Sequence, residues 1–106
     1  MLASSCASTD RAEAQSTVRV FKYAGSVQCS GGGLDLAAMQ RQLTDRGLKV
    51  VSSTCGTDGR MRVAMCDASD GRIGLFELST ADAEAASSLG YAPVSKLPGF
   101  KETPCK

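Results

Sequence analysis

The 106-residue chain has no histidine and no tryptophan. Without imidazole there is no Ser-His-Asp triad, no Cys-His dyad, no HExxH zinc site and no side chain poised to shuttle protons near neutrality. Carboxylates paired in an apolar setting are missing too, which leaves general acid–base catalysis without visible players. A protein that is not an enzyme and needs no cofactor is the expectation. No two cysteines are spaced CxxC, against both a zinc ribbon and a thioredoxin-type motif. No apolar run approaches the ~18 residues of a membrane-spanning helix. The net charge is only +1, too small for a general pull toward nucleic acid or anionic lipid.

What the chain does have is cysteine. Cys6, Cys29, Cys55, Cys66 and Cys105 are five in a sequence long enough for one domain. Used at this density without metal-type spacing, they read as disulfides formed in an oxidising compartment. The odd count reads best as one plus four. Cys29, Cys55, Cys66 and Cys105 then allow two bridges in three connectivities. Cys29 follows the first expected strand, Cys55 the second, and Cys66 lies in the segment beyond it. Cys29–Cys66 or Cys55–Cys66 is expected, with Cys105 taking the remaining partner.

Residues 1–16 are Ser, Ala, Thr and charge without periodicity and read as a flexible tether. Thr17 to Tyr23 alternates with period 2 and predicts a strand, Val18 and Val20 sharing a face. After a turn-rich loop ending in Gly31-Gly32-Gly33, Asp35 is placed to cap a helix. Leu36, Met39 and Leu43 form its apolar stripe and Gly47 its stop. Leu48 to Ser53 predicts a second strand. Met61, Val63 and Met65 alternate as a short strand would, which places both methionines in the core. Arg72 to Leu78 predicts a strand apolar on both sides: Ile73 and Leu75 on one face, Phe76 and Leu78 on the other. Ser79 caps a second helix with Ala81, Ala85 and Leu89 as its stripe and Gly90 as its end. Tyr91 to Val94 suits a short edge strand that tolerates Pro93.

This order predicts an α+β fold, ferredoxin-like β-α-β-β-α-β. Two helices would cover one face of a four-stranded antiparallel sheet, and a cysteine-containing insertion would sit between strands 2 and 3. Residues 17–95 form the single domain and 96–106 a tail. The second sheet face is expected to stay open.

Three clusters carry side chains with chemistry to offer. Cys29 with Gly31–Gly33 near a helix start could give an activated thiol or an anion cradle, but GxGxxG and P-loop spacings are absent, and a disulfide loop is the plainer reading. Met61, Met65 and Cys66 are soft ligands that suit Cu(I). Without a CxxC before the first helix, core packing is the expectation there. Arg60, Arg62 and Arg72 are interleaved with Asp58, Asp67 and Asp70, which predicts a solvated surface of mixed sign.

The Leu2-Ala3-Ser4-Ser5-Cys6 run resembles the end of a bacterial lipoprotein signal, with Ala3 where the lipobox has its Leu. With the polar tether, the cysteine usage and the compact α+β order, the chain resembles the small envelope proteins and lipoproteins of proteobacteria. That resemblance implies a lipid on Cys6 as a membrane tether and a place on the periplasmic side of the envelope. It further implies a non-enzymatic binding or structural role toward a protein or another envelope component, without nucleic acid. The alternative is a thiol-redox or Cu(I)-binding protein using the cysteines and methionines.

Overall fold

The computed structural model describes residues 16–105. Cys6, and all of the expected tether except Ser16, lie outside the described residues. Strand β1 (Thr17–Tyr23) leads to helix α1 (Leu36–Asp45), then β2 (Ser52–Thr57), β3 (Arg72–Ser79) and helix α2 (Thr80–Ala86). The short strands β4 (Ala92–Pro93) and β5 (Lys101–Thr103) follow. Single 3-10 turns occupy Ser87–Leu89 and Val94–Lys96. The protein is α+β, with one five-stranded sheet in the order β4-β1-β3-β2-β5 and every neighbouring pair antiparallel.

The caps work as their residue types dictate. The Asp35 carboxylate accepts from the Ala38 N–H at 2.8 Å, and the Ser79 hydroxyl accepts from the Asp82 N–H at 3.1 Å, each satisfying a donor the first turn leaves unpaired. Met39 and Leu43 of α1 are buried as their spacing predicts. In α2 the buried face differs from the expected stripe. Ala81 and Ala85 are exposed, while Ala86 is buried and Ala83 and Leu89 pack beside it. An alanine-rich helix offers several equivalent stripes. The turn from β3 at Ser79 decides which one meets the sheet.

β3 is the hub. It pairs with β1 from Ile73 to Ser79 and with β2 from Arg72 to Glu77. Its alternate residues therefore build two cores. Phe76 and Leu78 join Val20, Met39, Leu43, Ala86 and Tyr91 beneath the helices. Ile73 and Leu75 join Phe21 and Leu97 on the opposite face, with Ala92, Val94 and Phe100 around them. The expectation of an open second face is thus corrected. The stretch expected as a tail supplies Leu97, Phe100 and β5, because the apolar half of β3 needs a cover and the two helices lie on the other side.

Two further expectations are corrected. β2 begins at Ser52 rather than Leu48, since Leu48 and Val50 turn in to pack against the helix-side core. The strand expected at Met61–Met65 does not form. β2 pairs with β3 on one side, and its Cys55–Thr57 half, the part nearest the loop, pairs with β5 on the other, so the edge a returning strand would meet first is taken. Met61, Val63 and Met65 are 100 %, 71 % and 57 % exposed, not core.

Several glycines are required by close backbone contact, Gly59 most of all. Gly59 has φ +73°, and a Cβ there would run into the backbone carbonyl of Gly99. Only chain movement could relieve that contact. Gly59→Ala is expected to lower the unfolding free energy by about 2–3 kcal/mol, read as a lower midpoint in urea.

Candidate functional site

Two features could meet a partner. The first is a groove of about 770 Å³ at the start of α1, lined by Leu36, Met39, Ile73, Thr57, Arg72 and Cys105 among others. Its volume lies in the range of small-ligand pockets, but several of its polar groups are already engaged. The Ser26 hydroxyl donates to Asp70 at 2.7 Å, Asp35 caps α1, and Arg72 sits 3.5 Å from Asp70. Among the described residues no buried side-chain nitrogen or oxygen lacks a partner, so no buried polar group is left aimed into the groove.

The second feature is the 58–71 loop between β2 and β3. Every residue from Gly59 to Asp67 is exposed, yet three attachments hold the loop. At its start, Asp58 is only 2 % exposed. Its carboxylate accepts from the Tyr23 hydroxyl at 2.9 Å, from the Arg60 N–H at 3.1 Å and from the Arg62 guanidinium. Burial pushes this carboxyl up, but the three donors and the Arg62 charge outweigh it and hold Asp58 below the usual carboxylate range. Burial and the Asp58 hydrogen bond in turn push the Tyr23 phenol above its usual value.

Midway, the Gln28 side chain clips onto the loop backbone. Its amide donates to the Val63 carbonyl at 3.0 Å and its oxygen accepts from the Met65 N–H at 2.9 Å. At the far end, Cys66 is bonded to Cys29, their Cα atoms 5.0 Å apart. Cys29 holds a left-handed φ of +72°, a conformation that costs a non-glycine residue energy and persists only where its surroundings impose it. The Val27–Gly31 bridge and the bond from the Gln28 N–H to the Ala68 carbonyl supply those surroundings.

The second disulfide is Cys55–Cys105, with Cα atoms 5.2 Å apart. Cys55 lies on β2 opposite Gly74 of β3 and Thr103 of β5, which brings it beside the chain end rather than beside Cys66. Of the two pairings left open by the sequence, Cys29–Cys66 is therefore the one formed. Such a disulfide-stabilised domain belongs to an oxidising, non-cytoplasmic location. No helix among the described residues is long and apolar enough to cross a membrane.

No protein family, curated protein or solved structure matches the chain. The site therefore stands on its own geometry. Its four described cysteines are all oxidised, so Cys66 presents no thiolate beside Met61 and Met65 as the soft-metal alternative needs. Among the described residues no three His, Cys, Asp or Glu side chains converge as a metal site would require. Arg62 is tied to Asp58 and Arg72 to Asp70, which leaves Arg60 without a salt bridge to a described residue. The strand aromatics form no shared platform. Phe21 and Tyr23 meet edge to face at 5.8 Å on one face, while Phe76 packs against Tyr91 on the other.

Sequence reasoning missed Asp58, Tyr23 and Gln28 as the parts that order this loop. Asp58-Gly59 carries only a turn signal, and Gln28 carries none beyond its place beside Cys29. Gln28→Ala is expected to cost about 1 kcal/mol at most in global stability. It should speed hydrogen exchange at the Met65 amide by several-fold while leaving the β3 amides unchanged.

Proposed function

We propose that this protein is a non-enzymatic binding module of the bacterial envelope, periplasmic or lipid-anchored, and that the 59–66 loop is its binding surface. One observation carries the reading: three apolar side chains within five residues stand in water on a loop that the fold takes care to order. Exposed apolar clusters are costly in a soluble protein and mark contact sites when they persist. Ordering by Asp58, Gln28 and Cys29–Cys66 lowers the entropy lost on association. The two disulfides support the envelope part, and the order β4-β1-β3-β2 supports reading the first four strands as a ferredoxin-like core with β5 added beside β2.

The test joins compartment and contact. In cells, alkylation before reduction should find Cys29, Cys55, Cys66 and Cys105 protected in the envelope fraction. A photo-crosslinking residue at position 63 should give a discrete adduct, lost when Met61→Ser and Met65→Ser are combined. A reduced cytosolic protein would refute the compartment, and a chain that forms no adduct would refute the binding surface.

A further inference from the structure

The two disulfides sit in different surroundings, and we infer that Cys29–Cys66 is a thiol–disulfide exchange site: a dithiol reductant opens it while Cys55–Cys105 stays closed, and the opening loosens the 59–66 loop. The exchange step stands on geometry alone, and its effect on binding rests on the role proposed for the loop. Access is the first argument. Cys29 and Cys66 are both exposed, as are Ser30 and Asp67 beside them, and a side chain at Gly31 or Gly32 would meet only open space. An attacking thiolate therefore has an open approach. Cys55, by contrast, is half-buried on β2, between Gly74 of β3 and Thr103 of β5.

Backbone conformation is the second argument. The Ser30 N–H donates to the Gln28 carbonyl at 2.8 Å, which closes a three-residue turn on Cys29 at φ +72°. This is the rare, strained form of that turn, and Cys29 is the one non-glycine among the described residues with a positive φ. Reduction removes one of the constraints that keep it there, so the oxidised state carries a cost that the reduced state sheds. What each bond supports is the third. Cys55–Cys105 pins the chain end beside β5, next to the segment that covers the second core, so the fold opposes its reduction. Cys29–Cys66 joins two surface loops, and the long pairings of the sheet lie elsewhere.

The step balances with a dithiol as the two-electron donor. One of its thiolates attacks the Cys29 Sγ, whose neighbours Gln28 and Ser30 carry no charge, whereas Asp67 adjoins Cys66 and repels an anion. A bond forms from the donor sulfur to Cys29, the Cys29–Cys66 bond breaks, and Cys66 leaves as a thiolate that takes a proton from water. The donor's second thiolate then attacks the mixed disulfide and closes the donor's own disulfide. Cys29 leaves as a thiolate and is protonated in turn, so the two protons given up by the dithiol balance the two taken up. The loop thereby loses its far attachment while Asp58 and Gln28 keep theirs, which loosens it without unfolding the domain.

Dithiothreitol tests this on the full-length oxidised protein. The protein is equilibrated with mixtures of reduced and oxidised reagent, trapped by acid, alkylated and digested for peptide mass analysis. Cys29 and Cys66 should be half-labelled at a reduced-to-oxidised ratio at least roughly tenfold lower than Cys55 and Cys105. In the singly reduced protein, amides of residues 59–66 should exchange several-fold faster while the β3 amides stay protected, and the crosslink at position 63 should weaken. Reduction of both bonds at the same ratio, or of Cys55–Cys105 first, overturns the exchange site. Selective reduction that leaves exchange in residues 59–66 unchanged, or a crosslink equally strong in both states, overturns the control of the loop. Selective reduction and faster exchange without a crosslink in either state overturn the binding role and leave the exchange site in place.

Discussion

Replacing Cys55→Ser together with Cys105→Ser is expected to lower the unfolding free energy by about 4 kcal/mol. The bridge closes a separation of 50 residues, and its loss frees the unfolded chain by the loop-closure entropy of that span. The folded state also has little else to hold its C-terminal end. β5 pairs three residues with β2. The Arg19–Glu102 ion pair at 2.6 Å is exposed on both sides and contributes little. Without the bridge, residues 97–105 rest mainly on Leu97 and Phe100, and the second core lies under them. Urea unfolding followed by circular dichroism should show a lower midpoint, and the Leu75 amide should exchange faster. The comparison with Cys29→Ser plus Cys66→Ser is informative. That bridge closes a separation of 37 and has a similar unfolded-state term. It ties two exposed loops, however, which Gln28 and Asp58 still hold. Local exchange in residues 59–66 should rise while the second core stays closed. Opening of the second core by this variant and not by the first would contradict the account.

Asp58→Ala is expected to cost about 1–3 kcal/mol, because it removes an acceptor of three hydrogen bonds while Arg62 and Tyr23, both partly exposed, keep access to water. The Tyr23 hydroxyl and the Arg62 guanidinium would both lose their acceptor, and the loop would lose its attachment to β1. Asp58→Asn keeps the shape but not the charge and should fall between the two. The pH dependence follows from the shifts. Asp58 has a lowered folded pKa, so its contribution is complete above the unfolded carboxylate pKa and is lost as pH falls through the folded value. Glu77 adds in the same direction, held low by hydrogen bonds from Thr17 and Ser52. Tyr23 has a raised folded pKa. Its contribution is complete below the unfolded phenol value and is lost as pH rises through the folded one. Stability should therefore be flat across neutrality and fall at both extremes. In Asp58→Ala the acid limb should be shallower. An acid limb unchanged by the substitution would show that Asp58 is not the group that titrates.

Much of the local structure was legible because it depends on neighbours in the chain. Asp35 and Ser79 cap the helices as short polar acceptors do. Val18 and Val20 share a face, and the residues of β3 divide between two faces as period 2 requires. The buried role of Tyr91 was not legible. Its single hydroxyl proton is shared between the Met39 carbonyl at 3.1 Å and the Gln42 side-chain oxygen at 2.9 Å, and Lys22 lies over its ring. Those partners are distant in sequence and leave no periodic trace. Met61 and Met65 misled for the opposite reason: their alternation is genuine, but alternation becomes a strand only where an edge is available to pair with.

By itself, then, the amino-acid order determined the helices and main strands, the two-sided character of Arg72–Leu78 and the oxidising chemistry of four paired cysteines. Caps, periodicity and cysteine usage act within the chain or through its environment. Only the tertiary structure decided which cysteines pair, that Leu97 and β5 close the second face, and that the buried carboxylate of Asp58 holds an apolar loop out in water. Each of those depends on which edges and faces are left over once β3 has taken its two neighbours, and that competition has no signature in any single segment.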